Sequence, residues 1–237
     1  SNVADRLAAL DAVIVPGGFG SRGVEGKIEC VRYCREQDLP YLGICLGFQV
    51  AVIEFARNVL NIGDAASTEV DPMAGNAVIS ELPEQKKIEG LGGTMRLGAQ
   101  SIDIGAGTLA SFLAGGQASI RERFRHRYEV EPKWIERLEA GGLVFSGRHP
   151  DQPIMQILEL RDGADSAETA VDEGRPDSPT HPYFIGAQFH PELTSRPLEP
   201  QPLFMGLIAA ALRQRYAADD ERWAEMIRDP AVRRWLR

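Results

Sequence analysis

Two short apolar runs, each cut off by glycines and each followed by a helical pattern, restrict the possible fold more than any other feature. Ala12–Val15 (AVIV) stops at Pro16-Gly17-Gly18 and reads as a buried strand entering a tight loop. From Val24 to Glu36 the apolar spacing is helical, with Ile28, Val31 and Cys34 forming the inward stripe and Tyr33 beside them. Leu39–Ile44 reads as the next buried strand, and Gly47–Leu60 as a strongly apolar helix. Strand, helix, strand, helix in close succession predicts an α/β fold of three layers, a mostly parallel central sheet flanked by helices.

Beyond Asn61 the pattern is looser. Asp64–Lys87 carries few long periodic runs, and Gly90–Gln117 is glycine-rich with short candidate strands such as Gly93–Leu97. Strands are predicted at Phe124–Val130, Leu143–Ser146, Ile154–Leu160 and Phe184–Phe189, and helices at Pro132–Ala140 and Leu203–Tyr216. Arg161–Pro182 is polar, contains three prolines and lacks apolar periodicity, and reads as a mobile surface insertion. Within it, between Asp162 and Asp177, six carboxylates face the single Arg175, so most of the chain's net charge of −8 belongs to this segment. A last amphipathic helix is expected from Asp219 to Leu236, interrupted at Pro230. The domain itself is thus read as residues 3–216, with the insertion at 161–182 and a helical extension at 217–237.

Composition removes several classes of function. With 43% apolar and 25% charged residues the chain is expected to fold around a core rather than remain disordered. A negative chain gains nothing from releasing phosphate counterions, so no nucleic-acid partner is expected. No run approaches the roughly 20 apolar residues of a membrane-spanning helix, and no charged segment followed by an apolar one opens the chain. Three cysteines at spacings unlike a disulfide framework fit a reducing compartment, so the reading is cytoplasmic. Ser1-Asn2 reads as the remnant of a cleaved expression tag, so the N-terminus is not taken as a biological boundary.

Three constellations carry chemistry. Gly43-Ile44-Cys45-Leu46-Gly47 lies at a strand-to-helix junction, where a nucleophile is held in a cramped backbone with its side chain presented. A Cβ at either flanking glycine would clash, and the helix N-terminus would favour the thiolate of Cys45. Taken alone, a cysteine between packing glycines also describes a buried structural residue. Gln188-Phe189-His190-Pro191-Glu192 is the second: in an extended segment His190 and Glu192 face one side, and a carboxylate beside an imidazole fixes its tautomer. Alone this is a surface turn; paired with Cys45 it forms a Cys-His-Glu triad. Pro16-Gly17-Gly18-Phe19-Gly20 is the third, a glycine-dense loop at a strand end that suits a backbone oxyanion hole better than a nucleotide.

Together these motifs, extended to Gly43-Ile44-Cys45-Leu46-Gly47-Phe48-Gln49, resemble class I (triad) glutamine amidotransferase domains. The segments Arg22–Lys27, Ala51–Asn58, Gly92–Gly98 and Arg125–Val130 resemble, more narrowly, the glutaminase domains of CTP synthases. The likeness runs from Leu10 to about Leu212; Phe48 stands where the family commonly has methionine. It implies a fold whose first strand and helix precede the region seen here, and an amidoligase domain that this chain does not contain. It further implies Cys45 as nucleophile, His190 as proton carrier and Glu192 as its orienter. Backbone N–H groups of Gly18 and Leu46 would form the oxyanion hole, and Gln49, Glu69 and Arg127, with Gly18, would bind L-glutamine. No metal or cofactor is expected in this domain; ATP and Mg would belong to the amidoligase domain, which aminates UTP to CTP. GTP as activator and a homo-oligomeric whole enzyme are implied likewise. Alternatives are a subunit serving another amidoligase, a stand-alone γ-glutamyl hydrolase, or a non-catalytic regulatory module.

Other reactive residues are read as structural. Cys30 and Cys34 lie one helical turn apart but lack partners for a zinc site. His126 is expected to position its loop, and His149 and His181 to be solvated. The alternating Arg121, Arg123, Arg125 and Arg127 suggest a ligand carboxylate or a domain interface, and Arg233, Arg234 and Arg237 a solvated helix face.

Overall fold

The two apolar runs pair with each other: β1 (Val13–Val15) lies parallel to β2 (Tyr41–Ile44), with Val13 opposite Tyr41 and Val15 opposite Gly43. The helix between them, α2 (Val24–Glu36), makes the crossover that a parallel pair requires. In the computed structural model, which describes residues 2–82, 95–160, 181–216 and 221, a short α1 (Val3–Leu7) precedes β1. After β2 come α3 (Leu46–Asn58), β3 (Ala65–Ser67), β4 (Asn76–Ser80), β5 (Arg96–Ile104), α4 (Leu109–Leu113) and β6 (Ser119–His126). The chain continues through β7 (Glu129–Val130), α5 (Pro132–Ala140), β8 (Leu143–Arg148), β9 (Met155–Leu160), β10 (Phe184–Ala187) and α6 (Pro202–Tyr216).

Seven strands form the central sheet in the order β1-β2-β10-β9-β8-β5-β6, and β3-β4-β7 form a small second sheet. Parallel pairing joins β1, β2 and β10, the part that carries the site; β9, β8, β5 and β6 extend it antiparallel. Successive strand residues point to opposite faces, which gives the layers. Tyr41, Leu158 and Phe184 join one apolar cluster with α2, α3 and α5, whereas Leu42, Ile157 and Ile185 join another with α4 and α6. The α/β architecture with helices on both sheet faces is therefore present. One charge is buried on the first face: Glu54 of α3 is sealed and accepts from Arg35 of α2 at 2.8 Å, which ties the two helices together.

Several sequence expectations shift here. Asp64–Lys87 contains β3 and β4; of the short strand expected at Gly93–Leu97, Arg96 and Leu97 open the nine-residue β5, and residues 93–94 lie outside the described residues. α4, missed in the glycine-rich stretch, is capped by Thr108, whose hydroxyl accepts from Ser111 N. The strand expected over Phe124–Val130 is broken at Arg127-Tyr128, because β6 and β7 belong to different sheets. His181 is not solvated: its Nε2 lies 2.8 Å from the Cys34 carbonyl oxygen, and its Nδ1 accepts from Tyr183 N. Burial accordingly lowers its pKa. The acidic insertion up to residue 180, the C-terminal helix and its arginines lie outside the described residues. Among the described residues, no helix is long and apolar enough to cross a membrane.

Candidate active site

Cys45 occupies the junction of β2 and α3 with φ 52° and ψ −98°, a left-handed backbone that a non-glycine residue adopts only when its surroundings impose it. The imposition is visible. Cys45 N–H donates to Ala187 O of β10 at 2.7 Å, and the flanking glycines let α3 press onto the sheet. A Cβ on Gly47 would stand 2.1 Å from Val15 O, and one on Gly43 would stand 2.6 Å from the Gly47 carbonyl carbon. The clash argued from the sequence is thus a backbone-on-backbone contact that no rotamer change relieves. Gly47→Ala is expected to cost about 3 kcal/mol of stability, read by urea denaturation; a loss within 0.5 kcal/mol, on the order of a surface substitution, would show that α3 can move aside.

The thiol itself departs from expectation. Cys45 is only 3% exposed, and burial pushes its pKa up to about 12, against the Leu46 N–H, which lowers it. Glu192, Glu69 and Glu129 add negative potential in the same upward direction. The helix N-terminus does not yield a standing thiolate, so the sulfur needs a base beside it.

An imidazole stands nearby. His190 follows β10, and its N–H donates to Arg123 O of β6 at 2.9 Å. His190 Nδ1 lies 2.6 Å from Glu192 Oε1, so the carboxylate accepts from Nδ1–H and leaves Nε2 as the basic nitrogen. The pairing is made by a single 3-10 turn at Pro191–Leu193 rather than by extended alternation. His190 Nε2 is buried and has no hydrogen-bond partner among the described residues. A methyl group placed on Gly17 would stand 3.0 Å from His190 Cε1 and 3.5 Å from Cys45 Cβ, so imidazole and nucleophile flank the same glycine. Gly18, next in the loop, packs against Leu46, whose side chain would meet a Cβ there at 3.3 Å.

In front of Cys45 lies a cavity of about 400 Å³ lined by Gly18, Phe19, Gln49, Glu69, Met95, Arg125, His126, Arg127 and Tyr128 as well as Cys45 itself. Every residue that the resemblance assigns to glutamine is therefore in one place. Glu69 Oε1 accepts from Gly20 N at 2.8 Å, which locks the glycine loop over the cavity. Gln49, buried in the first turn of α3, donates to Tyr128 O at 3.0 Å and to Gln188 Oε1 at 3.2 Å. Arg127 is exposed at the break between β6 and β7, at the cavity wall.

Phe19, Met95, Arg125, His126 and Tyr128 were not singled out for this cavity from the sequence. On β6 the burial alternates, with Glu122, Phe124 and His126 inward and Arg121, Arg123 and Arg125 outward, and the Arg125 guanidinium carbon lies 6.0 Å from the Phe19 ring centroid. That alternation was legible; which side faced a ligand was not. His126 does more than hold a loop. Its Nε2 lies 3.0 Å from Glu129 Oε1, the same oxygen that accepts from Arg96 Nε at 2.8 Å. Burial of Glu129 alone would raise its pKa, but His126 and Arg96 outweigh it and hold the carboxyl below its ordinary value. Among the described residues no group of three or more His, Cys, Asp or Glu could hold a metal ion.

Known proteins carry the same arrangement of sequence and fold. The family model for class-I glutamine amidotransferases matches residues 1–166. The CTP synthase of Haloarcula marismortui is 54% identical over 209 residues, covering 88% of this chain and 34% of that protein. The CTP synthase of Methanopyrus kandleri is 51% identical over 210 residues, covering 89% of this chain and 36% of that protein. The chain thus spans about a third of the length of these relatives. Among solved structures, the glutaminase domain of Trypanosoma brucei CTP synthase with bound acivicin superposes with a TM-score of 0.75 at 31% identity, covering 88% of this chain and 74% of that one. With a cysteine at a strand-to-helix elbow, an α/β sheet to hold it and a matching family model, this chain belongs to the class-I glutamine amidotransferase family.

Proposed function

We propose that this chain is the glutamine-hydrolysing domain of a CTP synthase, releasing ammonia from L-glutamine for an amidoligase domain. The observation that carries the reading is the meeting of Cys45 and His190 around Gly17, with Glu192 2.6 Å behind the imidazole. Cys45 Sγ attacks the carboxamide carbon of glutamine while His190 Nε2 takes the thiol proton. The oxyanion that forms lies between the N–H groups of Gly18 and Leu46; losing one such donor typically costs roughly 10²–10³ in rate. His190 then protonates the leaving nitrogen, ammonia departs, and a γ-glutamyl thioester remains on Cys45. Water, deprotonated by the same imidazole, releases glutamate and restores the thiol. Glu69 takes the substrate's α-ammonium and Arg127 its α-carboxylate, with Gln49 and Gly18 completing the pocket.

The ammonia would serve the ATP-dependent amination of UTP to CTP. This domain needs no cofactor for its step, and ATP and Mg belong to the amidoligase domain. GTP is the expected activator, and the whole enzyme is proposed to be a cytoplasmic homo-oligomer whose chains join an amidoligase domain to this glutaminase domain (residues 3–216) and its terminal extension at 217–237. Because the isolated chain is expected to be weakly active or silent, the test is to treat the complete enzyme carrying this domain with acivicin, a glutamine-mimicking electrophile, and to assay glutamate release from glutamine. One adduct, mapped to Cys45 by mass spectrometry, is expected, and Cys45→Ala should lose both adduct and glutamate release. Glutamate release that survives in Cys45→Ala would sink the assignment, and failure of acivicin to label Cys45 in the complete protein would favour a non-catalytic module.

A further inference from the structure

Directly beneath the elbow, Tyr41 is wholly buried at the start of β2, stacked on Phe184 with ring centroids 4.7 Å apart. Its hydroxyl donates to the Gly47 carbonyl in the first turn of α3 at 2.9 Å. The fit leaves no slack: a Cβ on Gly43 would stand 2.7 Å from both the Tyr41 hydroxyl oxygen and the Gly47 carbonyl oxygen. An α-helix already provides a first-turn carbonyl with an axial N–H donor four residues on, so this hydroxyl is an additional, lateral tether. On its other side the same turn is stopped by Val15 O. Cys45 and the Leu46 N–H that reaches its sulfur stand at the head of this turn.

We infer that Tyr41 is a positioning residue for the glutaminase step, holding Cys45 and the Leu46 N–H in attack geometry through the Gly47 carbonyl. Burial keeps its phenol protonated, so it remains a donor at working pH. The inference rests on the proposed reaction at Cys45 and adds a residue to it that touches neither substrate nor sulfur. Because the tether acts on the backbone under the attacking group, while Gln49 of the same turn is held independently by Tyr128 O and Gln188 Oε1, its loss should slow bond formation and leave binding intact.

The structure supplies its own control. Tyr183 is an equally buried tyrosine whose hydroxyl donates to a backbone carbonyl, that of Leu203, at 2.7 Å, away from the cavity lining. Tyr41→Phe and Tyr183→Phe each remove one buried hydroxyl bond to a carbonyl, so a merely structural role predicts matching effects. The experiment follows acivicin alkylation of Cys45 in the complete enzyme carrying this domain against acivicin concentration, with urea unfolding to verify that each variant is folded. Expected for Tyr41→Phe is a maximal alkylation rate lower by about tenfold at an unchanged half-saturating concentration. Tyr183→Phe should stay within about twofold of wild type in both. Equal maximal rates for the two folded variants, or a Tyr41→Phe effect confined to half-saturation, would overturn the positioning role. A wild-type chain that is not alkylated at Cys45 would instead overturn the reaction itself, so the two failures are distinguishable.

Discussion

Replacing His190 by alanine should slow acivicin alkylation of Cys45 at pH 7 by about four to five orders of magnitude and make the remaining rate climb with pH. A thiol pushed up to about 12 by burial is ionised at pH 7 in only about one molecule in 10⁵. The Leu46 N–H opposes that burial without overcoming it, and Glu192, Glu69 and Glu129 reinforce it. On the proposed mechanism, wild-type reactivity comes from proton removal during attack by His190 Nε2, with Glu192 2.6 Å from the ring's Nδ1. Without the imidazole only the standing thiolate reacts, so the residual rate should rise about tenfold per pH unit from pH 6 to 9. The sign for stability follows from the same shift. Because the folded pKa lies above the ordinary 9.0, the neutral thiol favours folding, and that contribution is complete below pH 9 and lost as pH rises toward about 12. The profile is measured as inactivation rate against pH for wild type and His190→Ala. A variant as fast as wild type at pH 7 would mean that Cys45 is activated by something other than His190.

The largest loss of stability is expected from Arg96→Met, at about 3–5 kcal/mol, because it strips a cation from a sealed carboxylate. Glu129 is fully buried and its Oε1 is shared by Arg96 at 2.8 Å and His126 at 3.0 Å. Burial pushes the carboxyl up, and its interactions with His126 and Arg96 bring it below its ordinary value. A depressed folded pKa contributes stability above the ordinary carboxylate range, and that contribution is lost as pH falls through the folded value. Arg96→Met should thus lower the urea midpoint at neutral pH and flatten the decline toward acid. Adding Glu129→Gln should recover part of the loss, since the uncompensated charge is then gone. A single-variant loss under about 1 kcal/mol would place this pair among solvent-screened ion pairs. As His126 lines the cavity in front of Cys45, the same cluster anchors one of its walls.

Much of the site's chemistry was legible in local sequence because it depends on neighbours in the chain. Gly43 and Gly47 announce the elbow around Cys45, and His190 and Glu192 are close enough in sequence for a pairing to be argued. Even there the local geometry differed: the 3-10 turn at Pro191–Leu193, not strand alternation, brings Glu192 to the ring. The same limit explains the errors in the middle of the chain. Phe124–Val130 reads as one strand because its residues suit a sheet, yet His126 ends β6 and Glu129 begins β7 in another sheet. The break at Arg127-Tyr128 is what carries Arg127 to the cavity wall.

The sequence by itself determined the α/β class, the buried parallel strands, the glycine-flanked cysteine and the residues that could form a triad, since apolar period and glycine placement are local properties. Only the tertiary structure decided which distant groups meet: Gly17 between Cys45 and His190, Glu69 on the Gly20 amide, and Tyr41 on the Gly47 carbonyl. It also reversed the expected state of the nucleophile. A helix N-terminus is visible in sequence and favours a thiolate, but the burial that raises the Cys45 pKa is the sum of everything packed over it. Desolvation has no local signature, so His190 could be expected as proton carrier from the sequence, but the upward shift of the Cys45 thiol became apparent only once the chain was folded.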